Sequence, residues 1–233
     1  MPVLIFVPGL LCTATLFEAQ IKSLSPRITC HVADTTGLSS VEEIAARTLE
    51  EIDGPFIAVG LSMGGYIATE MVRSAAERAL GLGLLSTNAS ADTDEKRAQR
   101  RDLIALSQIG KFKGVTPRLL PRLLSKEAQD NDMLVQQVLD MALEIGQENF
   151  TSQQMAIMAR QDRHAFLETL LLPSLVLCGT ADILTPPAQS QKMADALPDS
   201  ELILLDDIGH LSTMEAPEAC NEALHRLLDR VGI

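Results

Sequence analysis

The stretch Gly60-Leu61-Ser62-Met63-Gly64 decides the fold of this chain, because of the sequence on either side of it. A short apolar run of strand-forming residues, 56–59, precedes the stretch, and a helical pattern, 63–76, follows it. Strand, G-x-S-x-G and helix in this order are typical of a nucleophile elbow, a strained turn that lifts a serine hydroxyl above the end of a sheet. Glycines two positions before and after the serine leave room for the backbone there. The sequence therefore predicts Ser62 as a nucleophile.

The chain has four histidines, and their positions decide which one is the predicted base for this serine. After a nucleophile elbow the partners follow in the order Asp or Glu, then His, each in a loop after a strand. His210 alone follows a late strand through a glycine turn. His31 lies in an early strand, His164 in a charged helical region and His225 in the last helix. We therefore predict His210 as the base.

The acid that orients this base has two candidates. Asp182 follows the apolar strand 174–178 through a glycine turn, and it stands between Ser62 and His210 in the chain. Asp206 is closer to His210 in sequence, at the end of the strand that leads to it. A carboxylate so near on the same turn is poorly placed to reach the far nitrogen of the imidazole ring. We predict Asp182, with Asp206 as the alternative.

Two backbone N–H groups are expected to bind the negative oxygen that forms when the serine attacks a carbonyl. Met63, directly after the nucleophile, would supply one from the first turn of its helix. The other is expected from the loop after the first strand, 3–7, where Gly9 lets the backbone approach a substrate closely. Leu10 is the predicted donor in that loop, and Leu11 is the alternative.

These motifs resemble those of the α/β-hydrolases, and the likeness extends over nearly the whole chain. Residues 60–65, 179–182 and 209–210 match the G-L-S-M-G-G, G-x-x-D and G-H motifs of small capped esterases and 3-oxoadipate enol-lactonase-like hydrolases. The resemblance implies a serine hydrolase that cleaves a small carboxylic ester, thioester or lactone through an acyl-enzyme on Ser62. No metal or cofactor is expected. Pro8-Gly9 stands where many members have His-Gly, and the two leading antiparallel strands of larger members are not expected here.

Strand-like and helical segments alternate over residues 1–87 and 173–233. This alternation predicts an α/β fold with a mostly parallel sheet of about six strands and helices on both faces. Ligands of such sheets bind beyond the carboxyl ends of the strands, where the three predicted side chains lie. Between these parts, over 88–172, strand-like runs vanish and apolar residues recur at helical spacing. We predict that residues 88–172 form a helical cap, or lid.

The charge of the predicted cap differs from that of the rest of the chain. The whole chain carries a net charge of −12, whereas residues 92–170 are almost neutral, with 11 Lys or Arg against 12 Asp or Glu. Two interpretations are open: the cap arginines attract an anionic substrate, such as a carboxylate or a coenzyme A phosphate, or they lie on solvated helix faces beside acids. If one cap arginine reaches the pocket, we expect it to be Arg160. Leu11 and Leu184 are the other predicted substrate contacts.

Composition narrows the class of partner. The negative net charge argues against nucleic-acid binding, and no apolar run is long enough to cross a membrane. The four scattered cysteines have no zinc-ligand spacing, and the start of the chain has no secretory pattern, so a reducing cytoplasm is expected. Only 3% of the residues are aromatic, which favours a modest aliphatic pocket for a small-molecule acyl substrate. A monomer and a homodimer are both left open.

The same motifs permit other functions. Thioester hydrolysis, C–C bond hydrolysis and cofactor-free perhydrolysis use the same three side chains, and the cap would select among them by reading the leaving group. A ligand-binding protein of this fold without catalysis is the alternative outside enzymes. Labelling of Ser62 by a fluorophosphonate would separate the two classes, because that reaction needs an activated serine.

Overall fold

The computed structural model describes every residue, 1–233, and its centre is a six-stranded sheet. All neighbouring strands run parallel, in the order β2-β1-β3-β4-β5-β6. The predicted α/β fold with about six strands is thereby confirmed. The strands are β1 (Val3–Val7), β2 (Thr29–Val32), β3 (Phe56–Leu61), β4 (Ala79–Leu85), β5 (Ser174–Gly179) and β6 (Ser200–Leu205).

Ten helices accompany the sheet, and short 3-10 turns lie at Ala14–Phe17 and Ala128–Asp130. Four of them each follow a strand and return the chain to the start of the next one, as parallel pairing requires. The helices are α1 (Glu18–Leu24), α2 (Val41–Glu50), α3 (Met63–Ser74), α4 (Asp94–Ser107), α5 (Leu120–Leu123), α6 (Asp132–Ala159), α7 (His164–Leu167), α8 (Pro187–Ala196), α9 (Ser212–Glu215) and α10 (Pro217–Val231).

Two hydrophobic clusters cover the two faces of the sheet. In β1 the side chains alternate, so that Leu4 and Phe6 join one cluster while Ile5 and Val7 join the other. The first cluster is completed by α1 and α10, and the second by α2, α3 and α8. The central strands β3 and β5 are buried along their whole length, which explains why they read as continuous apolar runs.

The segment 88–172, between β4 and β5, contains only helices, as predicted, and we call it the insertion. Its long helix α6 is interrupted at Gly146, which has φ 76° and ψ 176°. Nine of the 29 residues in the first cluster come from the insertion. The insertion therefore shares its hydrophobic core with the sheet. That residues 88–172 form a cap distinct from the rest of the fold remains a prediction.

Predicted and observed helix limits differ where the backbone leaves helical geometry. The helix expected over 63–76 ends at Ser74, because Ala75 has φ −138° and ψ 50°. The segment after β1 begins as a 3-10 turn at Ala14 and becomes α-helical at Glu18. None of the ten helices has the length and hydrophobicity that a membrane crossing requires.

Candidate active site

Ser62 lies at the sharp turn between β3 and α3, with φ 57° and ψ −116°. A non-glycine residue rarely adopts this conformation, so the surroundings must hold it. A Cβ atom on Gly64 would lie 1.8 Å from the carbonyl oxygen of Val7, and one on Gly60 would lie 2.1 Å from that of Gly64. Only glycine fits at both positions, because Gly64 packs directly against β1 and Gly60 packs against the backbone of the turn itself. The Ser62 hydroxyl does not cap the helix, which leaves it available for chemistry.

Asp182 and His210 lie in the loops after β5 and β6, which are neighbours in the sheet. Asp182 Oδ2 is 2.8 Å from His210 Nδ1. Both side chains are buried, with 0% and 4% of their surface exposed. Asp206, the alternative acid, is exposed. The structure therefore places Asp182, and not Asp206, beside the ring. Because Asp182 contacts Nδ1, the other ring nitrogen, Nε2, remains without a partner in the protein.

The Asp182 carboxylate is held by further hydrogen bonds from the same loop. Oδ1 accepts from the N–H groups of Leu184 (2.9 Å) and Thr185 (3.0 Å), and Oδ2 accepts from the Thr185 hydroxyl (2.6 Å). Burial acts to raise the pKa of Asp182, but His210 and the Thr185 bonds outweigh it and hold this pKa below its ordinary value. The carboxylate is therefore charged and fixed in orientation at neutral pH.

The loop that carries His210 is anchored by a residue that the sequence analysis missed. The Glu215 carboxylate accepts hydrogen bonds from the N–H groups of Gly209 (3.0 Å), Leu211 (3.1 Å) and Ser125 (2.8 Å). The His210 N–H donates to the carbonyl of Leu123, at 3.0 Å. Leu123 and Ser125 belong to the insertion, so the insertion and the His210 loop are tied together. Nothing in the sequence distinguishes Glu215 from the other acids near the C-terminus.

The loop after β1 forms a tight turn in which Cys12 N–H donates to the Gly9 carbonyl, at 3.2 Å. Leu11, the third residue of the turn, has φ 60°. Its N–H donates to Gln153 Oε1 in α6, at 3.0 Å, whereas the Leu10 N–H has no acceptor within the protein. Leu10 therefore keeps a free donor, whereas the N–H groups of Leu11 and Cys12 already have acceptors.

Met63, the other predicted donor, is the first residue of α3. The N–H groups in the first turn of a helix have no acceptor within the helix. Position and chemistry therefore match what binding of a negative oxygen requires.

A cavity of about 480 Å³, a volume that includes space open to solvent, is lined by Ser62, His210 and Leu10, whereas Met63 and Asp182 do not line it. Leu11 and Leu184, two predicted substrate contacts, both line it. The hydrogen bonds of the His210 ring are those to Asp182 and Thr185, and the ring makes none to the Ser62 hydroxyl. The wall contains no Asp, Glu, Lys or Arg. Its residues are Gly9, Leu10, Leu11, Cys12, Leu61, Ser62, Val115, Leu123, Val138, Met141, Leu184, His210 and Leu211.

Arg160, the cap arginine that we expected in the pocket if any of them reached it, does not line this cavity. Its guanidinium is 4% exposed, forms an ion pair with Asp92 at 2.8 Å and lies over the ring of Tyr66 at 4.2 Å. It also donates to the carbonyls of Ser90 and Ile157. A buried carboxylate needs a cation beside it, and neutralising Asp92 is what holds Arg160 away from the Ser62 site.

Other arginines of the insertion are paired with acids. Arg97 contacts Asp94 at 2.9 Å, and Arg163 contacts Glu70 at 2.9 Å. Arg100 joins Arg160 on Asp92, at 2.6 Å. These pairs agree with the interpretation that the basic residues serve helix surfaces and internal ion pairs. The remaining arginines of the insertion, Arg101, Arg118 and Arg122, are exposed.

The four cysteines are free thiols. Burial raises the pKa of Cys12, the one that lines the cavity, to about 12. Its thiol is therefore protonated at neutral pH and is a poor nucleophile. No cluster of three or more His, Cys, Asp or Glu side chains is arranged to hold a metal ion.

Known proteins share the sequence pattern and the fold of this chain over most of its length. The model of the alpha/beta hydrolase family matches residues 4–223. A pimeloyl-[acyl-carrier protein] methyl ester esterase of Vibrio vulnificus is 26% identical over 254 aligned positions, which cover 96% of this chain and 93% of the relative. A thermophilic esterase of Thermogutta terrifontis, solved with malate bound, is 28% identical with a TM-score of 0.88, over 99% of this chain and 90% of that one. The enol-lactonase of Burkholderia xenovorans, 22% identical, shares the fold with a TM-score of 0.81 over 98% of this chain and 91% of that one.

Proposed function

The chain belongs to the alpha/beta hydrolase family, and we propose that it cleaves a small carboxylic ester through an acyl-enzyme on Ser62. It is a hydrolase that acts on ester bonds. One observation carries the finer proposal: Ser62, the paired His210 and the free N–H of Leu10 line the same cavity. These are the parts that acyl transfer to water requires. A thioester and a lactone, whose carbonyl carbon reacts in the same way, are the alternative substrates.

The proposed reaction has two steps. His210 Nε2 takes the proton of the Ser62 hydroxyl as Oγ attacks the carbonyl carbon, and the carbonyl oxygen becomes negative. Asp182, on Nδ1, keeps the ring in the tautomer that presents a free electron pair at Nε2, and it stabilises the ring once it is charged. His210 then returns the proton to the leaving alcohol as the bond to carbon breaks. Water, deprotonated by the same ring, releases the acid from Ser62.

The N–H groups of Leu10 and Met63 are proposed to hold the negative oxygen. Removal of one such donor in a serine protease lowers kcat by about 100- to 1,000-fold. Leu11 is unsuited to this role because Gln153 already accepts its N–H. The rigid turn at Ser62 supports the second donor, since it fixes where the α3 N-terminus points.

The residues that line the cavity favour a substrate with an uncharged aliphatic acyl group. Ten of its 13 residues are hydrophobic, and it contains no cation that could neutralise a carboxylate in the pocket. Burying an unpaired charge there would cost several kcal/mol. We therefore propose a neutral small-molecule substrate rather than the anionic one considered from the sequence.

The cytoplasmic location expected from the sequence remains a prediction.

Residues 88–172 are proposed to act as a cap that reads this acyl group. Val115, Leu123, Val138 and Met141 form the side of the cavity that the insertion supplies. Removing water from the reacting carbonyl strengthens every electrostatic contact in the site. The cap would thus determine both acyl length and the exclusion of solvent.

The first experiment measures hydrolysis of a chain-length series of p-nitrophenyl esters, together with an acyl-coenzyme A and an enol-lactone. Ser62→Ala is expected to abolish turnover of whichever substrate is best. Ser39→Ala, which changes an exposed serine away from the site, should leave the rate unchanged. Mass spectrometry after fluorophosphonate treatment should locate the adduct on Ser62. Full activity in Ser62→Ala, or a folded wild type that forms no adduct, would refute the proposal.

A further inference from the structure

Gln153 is a fully buried polar residue that contacts the turn at residues 9–12 and does not line the cavity. It lies in the second half of α6, with 0% of its surface exposed. Its Oε1 accepts the Leu11 N–H at 3.0 Å, and its Nε2 lies 3.0 Å from the hydroxyl and 3.4 Å from the carbonyl of Thr35. The side chain therefore joins three separate parts of the chain: the loop after β1, the loop after β2 and the insertion.

The turn that Gln153 contacts holds a residue in an unfavourable conformation. Leu11 has φ 60° at the third position of the turn, the sign of φ that type II turns require and that glycine normally supplies. A leucine there is strained and persists only where its surroundings fix it. The alternative type I turn, with a negative φ at this position, would relieve the strain by rotating the peptide between Leu10 and Leu11.

The orientation of that peptide decides which of its two polar groups, the Leu10 carbonyl or the Leu11 N–H, is turned toward Gln153. In the present orientation the Leu11 N–H points to Gln153, and the preceding N–H, that of Leu10, has no acceptor in the protein. If Gln153 did not accept the Leu11 N–H, a buried donor would be unpaired and the strained turn would lose the bond that holds it.

We propose that Gln153 is a positioning residue, which holds the turn at residues 9–12 in the conformation that presents the Leu10 N–H to the reacting oxygen. This inference rests on the proposed function. Because Gln153 belongs to the insertion, the segment that supplies the wall of the cavity also fixes one half of the oxyanion site. Gln153 touches neither the cavity nor the reacting atoms, so it acts through Leu11 alone.

Gln153→Met tests the proposal, because methionine has a similar length and no acceptor for the Leu11 N–H. Thr35→Val is the matched control: it removes the hydroxyl on the other side of Gln153 and leaves the bond to Leu11. Gln153→Leu, which also lacks an acceptor, serves as the second variant if Gln153→Met does not fold. Gln153→Glu keeps an acceptor but adds a buried carboxyl, so its rate is compared only if thermal melting shows that it folds. Thermal melting reports folding, and kcat and KM are measured on the best p-nitrophenyl ester.

We expect Gln153→Met to lower kcat by about 10- to 100-fold with KM changed by less than about threefold, since the lost contact acts in the transition state. The affinity for a trifluoromethyl ketone, which forms a tetrahedral oxyanion on the serine, should fall by the same factor. Thr35→Val and Gln153→Glu should retain most of the rate.

Two results would overturn the inference. A folded Gln153→Met with wild-type kcat and ketone affinity, even with a lower melting temperature, would make the residue merely structural. A Thr35→Val that loses as much rate as Gln153→Met would assign the effect to the Thr35 bond. Fluorophosphonate labelling of wild-type Ser62 separates this failure from that of the proposed function, because a wild type without the adduct contradicts the latter alone.

Discussion

Asp182 Oδ2 lies 2.8 Å from His210 Nδ1, although 28 positions separate the two residues in the sequence. The contact exists because β5 and β6 are adjacent and parallel, so the loops after them leave the sheet at the same edge. Asp206, only four positions from His210, is exposed to solvent. Strand order, and not distance along the chain, selects the partner of the ring.

Asp182→Asn should lower kcat by about 10,000-fold with little change in KM, because the amide stabilises the wrong tautomer of the ring and cannot balance its charge. Steady-state kinetics on the best ester measure the effect. Asp206→Asn is the control and should stay within about twofold of the wild type. Equal losses in the two variants would contradict the assignment of the acid.

The stability of the protein should depend on Asp182 in acid. Its native pKa is below the ordinary value of 3.8, so the native state favours the charged form. The resulting stability is present above that ordinary value and is lost as the pH falls through the lower native pKa. Urea unfolding between about pH 5 and pH 2 should therefore show a smaller loss for Asp182→Asn than for the wild type. Parallel curves would disprove the linkage.

Glu215→Gln should impair the His210 loop. The Glu215 carboxylate accepts three backbone N–H groups through its two oxygens, whereas an amide has only one oxygen. At least one of those N–H groups would therefore face the amide NH2, which is itself a donor. We expect a loss of about 1–3 kcal/mol in the free energy of unfolding, together with a lower kcat. Denaturant titration and kinetics test this, with the exposed Glu218→Gln as control. No difference between the two variants would refute it.

Met141→Ala should shift substrate preference toward longer acyl chains, because it enlarges the part of the cavity that the insertion supplies. The same change should cost about 2–5 kcal/mol of stability, since Met141 is 2% exposed. The ester chain-length series gives the preference. Met133→Ala, in the same helix but 79% exposed, should alter neither property. An unchanged optimum in Met141→Ala would place the acyl group elsewhere.

Arg160→Leu should destabilise the protein without changing its selectivity. Removing one partner of a buried ion pair typically costs about 3–5 kcal/mol, and here Arg100 still contacts Asp92 and reduces that loss. Rates on neutral and anionic esters, compared as a ratio, should match those of the exposed Arg101→Leu. A selective loss on the anionic ester would show that Arg160 reaches the substrate after all.

The strands and their parallel pairing could be predicted because local patterns report them. Buried parallel strands need apolar side chains on both faces, and β3 and β5 show this without interruption. Helix ends were less predictable, since Ala75 ends α3 through its backbone angles and carries no sequence signal. The two polar side chains that join the insertion to the rest of the protein, Gln153 and Glu215, were not predicted at all.

The sequence by itself determined the turn at Ser62 and the positions of Asp182 and His210 at strand ends. A turn that packs glycine backbone against β1 admits few residue types, so it leaves a motif that can be read locally. Only the tertiary structure decided that Arg160 pairs with Asp92 and that Gln153 accepts the Leu11 N–H. Such contacts join residues about 70 or 140 positions apart in the chain, and a charge or an amide satisfies many partners equally well until packing brings one of them within reach.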